Sequence, residues 1–255
     1  MKKIVDFYLK SSLHVALAIT SMACISYWNM GVAMNIWYVL FIFSVTVVGY
    51  NVLKYVKIWF TNGVLAKGYV GIYYLTIVMV ALSFAIFYIH FDFYMRFHVL
   101  LHFIMVVAYM WLRKYAYFKL FYVAFVVAGL TVMFPVYEVK ESWILNMFII
   151  KQFLILFALL IPFEIADVNT DALLTKTLPQ RFGVLAAKTM GFLAVSIFII
   201  MSLYTWTSPV ADMVLGLLTI LAIYLANENK SIYYTTFWVE ALPIFWAIMV
   251  FLECR

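Results

Sequence analysis

Three of the eleven acidic residues of the chain, Glu164, Asp167 and Asp171, lie close together in the sequence. Because a helix turns once every 3.6 residues, offsets of three and seven residues predict carboxylates on one face of a helix. Carboxylates placed in this way repel one another unless a cation lies between them. Magnesium favours oxygen ligands and commonly joins one or two carboxylates to a substrate phosphate. We therefore expect all three acids to bind Mg2+, with Asp167 and Asp171 acting in catalysis.

Two basic residues, Lys176 and Arg181, follow the acids within a few helical turns. Ammonium and guanidinium groups bind the non-bridging oxygens of phosphates, so both side chains could hold a diphosphate next to the metal. The alternative is a solvated, charged helix end without a ligand.

The segment from Glu164 to Gly183 resembles the second aspartate-rich motif of the UbiA superfamily of intramembrane prenyltransferases. That motif places an acid, two residues, Asp, three residues and Asp before a tail like the Lys-Thr-Leu-Pro-Gln-Arg-Phe-Gly found here at 176–183. The resemblance implies a bundle of membrane helices, Mg2+ as cofactor and an isoprenyl (polyprenyl) diphosphate as substrate. It also implies transfer of the isoprenyl group to a hydrophobic acceptor, an aromatic compound or a lipid.

A second segment, Tyr109-Met-Trp-Leu-Arg113-Lys114, is similar to the tyrosine and basic pair that the family carries after its fourth helix. The resemblance implies that Arg113 and Lys114 help to bind the diphosphate. Basic residues that merely flank a membrane span are the alternative.

The family's first motif, Asn-Asp-x-x-Asp-x-x-x-Asp, is degenerate in this chain. Asn51 matches its leading residue, but Val52, Tyr55 and Trp59 stand where the aspartates belong, and Lys54 lies among them. A lysine cannot bind magnesium but can contact phosphate as a point charge. We therefore predict that Lys54 replaces one metal and acts in catalysis, with Asn51 beside it on the diphosphate. The alternatives are a non-catalytic isoprenoid-binding or membrane-assembly protein and a terpene cyclase-like relative.

These residues must be positioned by helices that cross a membrane. Of the 255 residues, 68% are hydrophobic and only 11% are charged, which excludes an ordinary soluble domain. Apolar runs long enough to cross a bilayer predict an all-α, polytopic bundle of about nine transmembrane helices forming one domain over residues 1–255. The predicted spans are Leu13–Met30, Met34–Tyr50, Tyr69–Ile89, Phe97–Leu112, Phe118–Phe134, Ser142–Phe163, Leu185–Tyr204, Pro209–Ala226 and Ile232–Leu252.

The basic residues predict the orientation of the bundle in the lipid bilayer. With the N-terminus in the cytoplasm, 13 of the 17 Lys and Arg residues fall on the inner side and three on the outer side. We therefore expect a multi-pass protein of the cell inner membrane with its C-terminus outside. The same bias explains the net charge of +6 without nucleic acid as a partner.

Two charged residues, Lys151 and Glu240, fall within predicted spans. Charges at such depth usually pair or serve a pathway. We expect them to form a salt bridge with each other, and the alternative for Glu240 is acceptor binding or proton transfer.

Overall fold

The computed structural model describes residues 2–61, 69–112, 116–137, 142–169, 177–205 and 207–254. Eleven α-helices lie within these ranges, together with one 310 turn and one π-helical segment, and no strand occurs among the described residues. The helices are α1 (Lys2–Lys10), α2 (Leu13–Asn29), α3 (Ile36–Thr61), α4 (Val70–Ile89), α5 (Phe93–Leu112), α6 (Ala116–Tyr137), α7 (Ser142–Ala166), α8 (Leu178–Phe182), α9 (Val184–Thr205), α10 (Pro209–Leu225) and α11 (Leu242–Glu253). The predicted all-α architecture is confirmed.

Each predicted span coincides with one of the longer helices, but not all of them meet the length expected of a membrane span. Within the described part of the chain, five helices are long and apolar enough to cross a bilayer, and α1 with α2 forms a sixth if that bent pair is one span. Three further apolar helices are shorter, with cores at Phe93–Tyr109, Phe118–Val132 and Pro209–Leu225. A multi-pass membrane protein is therefore supported, while the count of nine is not confirmed.

Successive long helices run antiparallel, which defines two ends of the bundle. At one end, Lys54 near the end of α3 contacts Ser12 at the start of α2, and Lys188 in the first turn of α9 contacts Tyr224 near the end of α10. We call this the inner end, after its predicted cytoplasmic location. At the other end, Glu253 closes α11 against the first turn of α10. Because α3 and α7 run in the same direction, their last turns both lie at the inner end.

Gln152 fixes the centre of the bundle by joining three helices. Its amide nitrogen donates to the Met22 carbonyl at 3.0 Å and to Ser26 Oγ at 2.7 Å, both on α2. Its amide oxygen accepts from Thr131 Oγ1 on α6 at 2.5 Å. A buried amide in an apolar bundle is stable only when its donors and acceptor are paired, so these bonds hold α2, α6 and α7 in one register.

Lys151 does not pair with Glu240, and that prediction is wrong. Its ammonium forms a salt bridge with Asp212 of α10, and the two side chains are 2% and 0% exposed. Ser202 donates to the same carboxylate, and Trp246 Nε1 donates to it at 2.8 Å. Asp212 starts α10 near the outer end, and sequence reasoning did not single it out because an acid in the first turn of a helix is common. Glu240 therefore needs another explanation.

The amphipathic helix α1 bends by 59° into α2 at the inner end. The bend is made at Ser12, whose φ of 61° lies in the left-handed region that non-glycine residues rarely adopt. Asp6 accepts a hydrogen bond of 2.5 Å from the Tyr233 hydroxyl, and this bond raises the pKa of that phenol. Tyr55 donates to the Lys10 carbonyl at 2.8 Å. These contacts hold α1 across the inner ends of α3 and the segment before α11.

Candidate functional site

Asn51 is fully buried on α3 and presents one unsatisfied atom. Its amide nitrogen donates to Thr76 Oγ1 at 3.0 Å, and the Thr76 hydroxyl donates in turn to the Ile72 carbonyl. Because the Thr76 proton is committed to that carbonyl, Thr76 can only accept from Asn51, which fixes the orientation of the amide. Asn51 Oδ1 is left without a hydrogen-bond partner among the described residues. Asn51 Oδ1 can therefore bind a cation or accept a hydrogen bond. A phosphate oxygen could accept from the amide nitrogen of Asn51 only if it displaced Thr76.

Lys54 lies one turn further along α3, with an exposed side chain. Its ammonium donates to Ser12 Oγ at 3.2 Å and lies 5.8 Å from the ring centre of Tyr50. Ser12 is the residue with the left-handed backbone at the bend, so local strain helps to aim its hydroxyl at the lysine. The Ser12 hydroxyl is neutral, so this hydrogen bond does not neutralise the positive charge of the ammonium.

Glu164, in the last turn of α7, is only 4% exposed, and its oxygens are engaged. Lys119 Nζ lies 3.3 Å from one oxygen, and the Leu178 amide donates to the other at 3.4 Å. The spacing between Lys119 and Glu164, 45 positions apart in the chain, does not predict this contact. An adjacent ammonium repels a second cation, so this carboxylate is less suited to magnesium than its spacing suggests.

Asp167 does not continue the helix of Glu164. The α-helix ends at Ala166 and tightens into a 310 turn over Asp167–Asn169, an arrangement common at helix ends. The side chain of Asp167 is half-buried at the inner end. Asp171 and Lys176 lie outside the described residues, so their predicted places beside Asp167 stay predictions. Arg113 and Lys114, which belong to the weaker resemblance, are also outside that part of the chain.

The Thr-Leu-Pro-Gln-Arg tail begins the short helix α8 with a capping box, and Gln180 connects it to the turn after α7. Thr177 Oγ1 accepts from the Gln180 amide at 3.3 Å, and Gln180 Oε1 accepts from the Thr177 amide at 2.7 Å. Gln180 Nε2 also donates to the Val168 carbonyl at 2.5 Å. Gly183 ends the short helix α8 with a φ of +86°, which favours glycine. Arg181 is exposed on α8, 5.5 Å from the ring centre of Phe182.

Thr177→Ala is expected to loosen this tail without unfolding the bundle. Loss of an N-cap costs about 1 kcal/mol, which raises the local opening equilibrium roughly fivefold. Hydrogen exchange at the Gln180 amide should therefore accelerate by about that factor. Thr189→Ala is the matched control, because its exposed hydroxyl only accepts and donates within α9. Equal exchange rates in the Thr177 variant and the unaltered protein would contradict the assignment.

The predicted metal ligands are only partly brought together. Among the described residues, no three His, Cys, Asp or Glu side chains lie close enough to hold a metal ion jointly. Asn51 Oδ1 is a buried oxygen without a hydrogen-bond partner among the described residues, whereas Glu164 is paired with Lys119. Magnesium needs few protein ligands when a substrate phosphate supplies others.

Glu240 lies near Lys54 at the inner end, a proximity that spacing in the sequence does not predict. The two charges lie close enough to attract each other. Tyr50 on α3 and Tyr8 on α1 lie within the field of the same carboxylate. The 186 positions that separate Glu240 from Lys54 in the chain hide their proximity from local spacing.

The helical bundle has a counterpart among solved structures. The structure is similar over its whole length to a solved structure of digeranylgeranylglyceryl phosphate synthase, with a TM-score of 0.63 and 13% sequence identity. The match covers 100% of this chain and 99% of that chain. The UbiA-like fold predicted from the acidic motif is thereby confirmed. The sequence itself matches no family model and no curated protein.

Proposed function

We propose that this protein is a UbiA-like prenyltransferase homologue, which transfers an isoprenyl group from a polyprenyl diphosphate to an aromatic or lipid acceptor. The observation that carries this proposal is the exposed ammonium of Lys54, one turn from the unsatisfied Asn51 Oδ1, in a fold shared with a prenyltransferase. A diphosphate is the anion that such a fold would be expected to receive there. Lys54 occupies the segment in which the family carries aspartates.

Lys54 has the central role in this proposal. Its ammonium leaves Ser12 and contacts a phosphate oxygen, which stabilises the negative charge that grows on the diphosphate as the bond to the allylic carbon breaks. Asp167, together with Asp171, would hold Mg2+, and Asn51 Oδ1 would face the same ion or one of its waters. Bound magnesium would supply further positive charge to the leaving group. Arg113, Lys114, Lys176 and Arg181 would contact the remaining phosphate oxygens.

A non-catalytic isoprenoid-binding protein is the second candidate. The pairing of Glu164 with Lys119 favours it, because that contact removes one carboxylate from a set that has already lost the aspartates of the first motif. Such a protein would bind the diphosphate through Lys54 without breaking the bond to the isoprenyl chain.

Release of diphosphate from geranylgeranyl diphosphate, measured with purified protein in nanodiscs, tests the proposal. We expect Mg2+-dependent release that Asp167→Asn lowers by about 100-fold, the usual effect of removing a charged group that stabilises the transition state. Asp92→Asn is the matched control, since that acid caps α5 through the Met95 amide far from the inner end. Release that Asp167→Asn leaves unchanged would overturn the metal assignment. Binding without any release would favour the second candidate.

A further inference from the structure

Glu240 follows a π-helical segment, Tyr234–Val239, that interrupts the last helix of the bundle. The Glu240 amide donates to the Thr235 carbonyl at 3.2 Å, five residues back, and α11 begins two residues later with Pro243 in its first turn. A π-helical turn accommodates an extra residue and changes the direction of the side chains that follow, and such turns are frequent at functional sites. Glu240 is the residue that directly follows this interruption.

The carboxylate of Glu240 makes no hydrogen bond or ion pair of its own among the described residues. The charged and titratable groups near it are Lys54, Tyr8 and Tyr50. An acid within an apolar helix is costly and usually pairs, lines a pathway or binds a ligand. Lys151 and Asp212 show how this chain pairs buried charges when the role is structural, with a direct salt bridge and two further donors. Glu240 has none of these.

The Tyr8 hydroxyl and the His14 ring donate their protons to partners other than Glu240. His14 Nε2 lies 2.9 Å from the Phe237 carbonyl, which can only accept, so this nitrogen carries the proton of a neutral ring. His14 Nδ1 therefore accepts from the Tyr8 hydroxyl at 2.8 Å. The chain of bonds from Tyr8 through His14 fixes α1 to the π-helical segment and leaves no hydroxyl proton for Glu240. Tyr8 therefore cannot donate to this carboxylate, which is open to a hydroxyl group of a ligand.

We propose that Glu240 binds the hydroxyl group of the acceptor and removes its proton during transfer. This inference rests on the proposed function and adds the chemical class of the acceptor, an apolar alcohol or phenol. The acceptor oxygen forms a bond to the first carbon of the isoprenyl group. The bond from that carbon to the diphosphate breaks, and its electron pair leaves with the diphosphate. The hydroxyl proton passes to the Glu240 carboxylate, while Lys54 turns from Glu240 to the leaving group.

Glu240→Gln separates binding from proton transfer, because the amide oxygen still accepts a hydrogen bond but is not a base. With geranylgeranyl diphosphate and 4-dodecylphenol, we expect kcat for transfer to fall by about 100-fold or more, with KM for the phenol changed by less than about threefold. Diphosphate release without the phenol should fall far less than transfer does, and Glu240→Asp should restore part of the transfer. The matched control is Glu228→Gln, an exposed acid at the inner end. Transfer that is unaffected in Glu240→Gln, or an equal loss of acceptor-free release, would overturn the inference.

A binding measurement tests the contact between Glu240 and the acceptor hydroxyl independently of turnover. The unaltered protein should bind 4-dodecylphenol about 10- to 100-fold more tightly than its methyl ether, and Glu240→Leu should remove the difference. Equal binding of phenol and ether by the unaltered protein, or a preference that survives in Glu240→Leu, would overturn the inference. If the preference depends on Glu240 but no diphosphate is released, the proposed function fails while the hydroxyl site stands.

Discussion

Lys54→Ala is expected to lower Mg2+-dependent diphosphate release by about 100-fold or more, because the alanine removes the cation that stabilises the leaving group. It should also weaken binding of geranylgeranyl diphosphate and of inorganic diphosphate to a similar extent. The variant removes a positive charge but little packing, because the Lys54 side chain is exposed and its hydrogen bond is to Ser12. Release rates and calorimetric binding in nanodiscs measure both effects.

Lys57→Ala is the matched control for this variant. Lys57 is also an exposed lysine on α3, three residues further along, and no side-chain contact places it at the site. Lys54→Arg keeps the positive charge and should retain binding while losing part of the rate, because guanidinium and ammonium differ in shape. Equal losses in the Lys54 and Lys57 variants would mean that general surface charge attracts the diphosphate and that Lys54 has no specific role.

Asp212→Ala is expected to produce the largest loss of stability, about 3–5 kcal/mol in the free energy of unfolding. The change leaves the Lys151 ammonium buried without its counter-ion and removes the acceptor of Ser202 and Trp246. Because the pair joins α7 to α10 near the outer end, unfolding should be global. Thermal unfolding of the purified protein in detergent, followed by tryptophan fluorescence, measures the effect.

The double variant Lys151→Met, Asp212→Leu provides the control for buried charge. Replacing both charges by apolar groups of similar size leaves no ion unpaired, so most of the lost stability should return. A double variant that is less stable than Asp212→Ala would mean that the pair contributes through its hydrogen bonds and geometry. Full stability of Asp212→Ala alone would contradict the buried salt bridge.

The architecture of the bundle could be predicted because it depends on local properties of the sequence. Apolar runs give the helices, and short outer connections make neighbours antiparallel. The predicted spans begin or end within a few residues of α2, α4 and α9. The predicted end of the second span at Tyr50 was too early, since α3 continues to Thr61 past Lys54 and Lys57. Charged residues do not end a helix, so hydropathy marks the bilayer boundary better than the helix boundary.

The partners of the intramembrane charges could not be predicted. Lys151 and Glu240 lie at similar apparent depths, but pairing depends on how each helix is rotated, which hydropathy does not report. The structure instead places Lys151 against Asp212, and Glu240 near Lys54. The π-helical turn before Glu240 adds a rotation that regular helical spacing would miss. Long-range contacts of this kind appear only once the bundle is assembled.

The described part of the acidic motif does not lie on the single helical face that its spacing predicts. Glu164 faces Lys119 inside the bundle, and the helix ends before Asp167. Helical spacing assumes that the helix continues, whereas a 310 turn over Asp167–Asn169 follows its end at Ala166. Asn51 and Lys54 do lie on one helix, three residues apart, as their spacing predicts.

The most direct test of a diphosphate site at the inner end is an experimental structure of the protein with Mg2+ and geranylgeranyl thiodiphosphate, which resists ionisation. We expect the diphosphate next to Lys54 Nζ, the ion between it and Asp167, and the isoprenyl chain between the apolar helices. A diphosphate bound away from both residues, with Lys54 still donating to Ser12, would contradict the account.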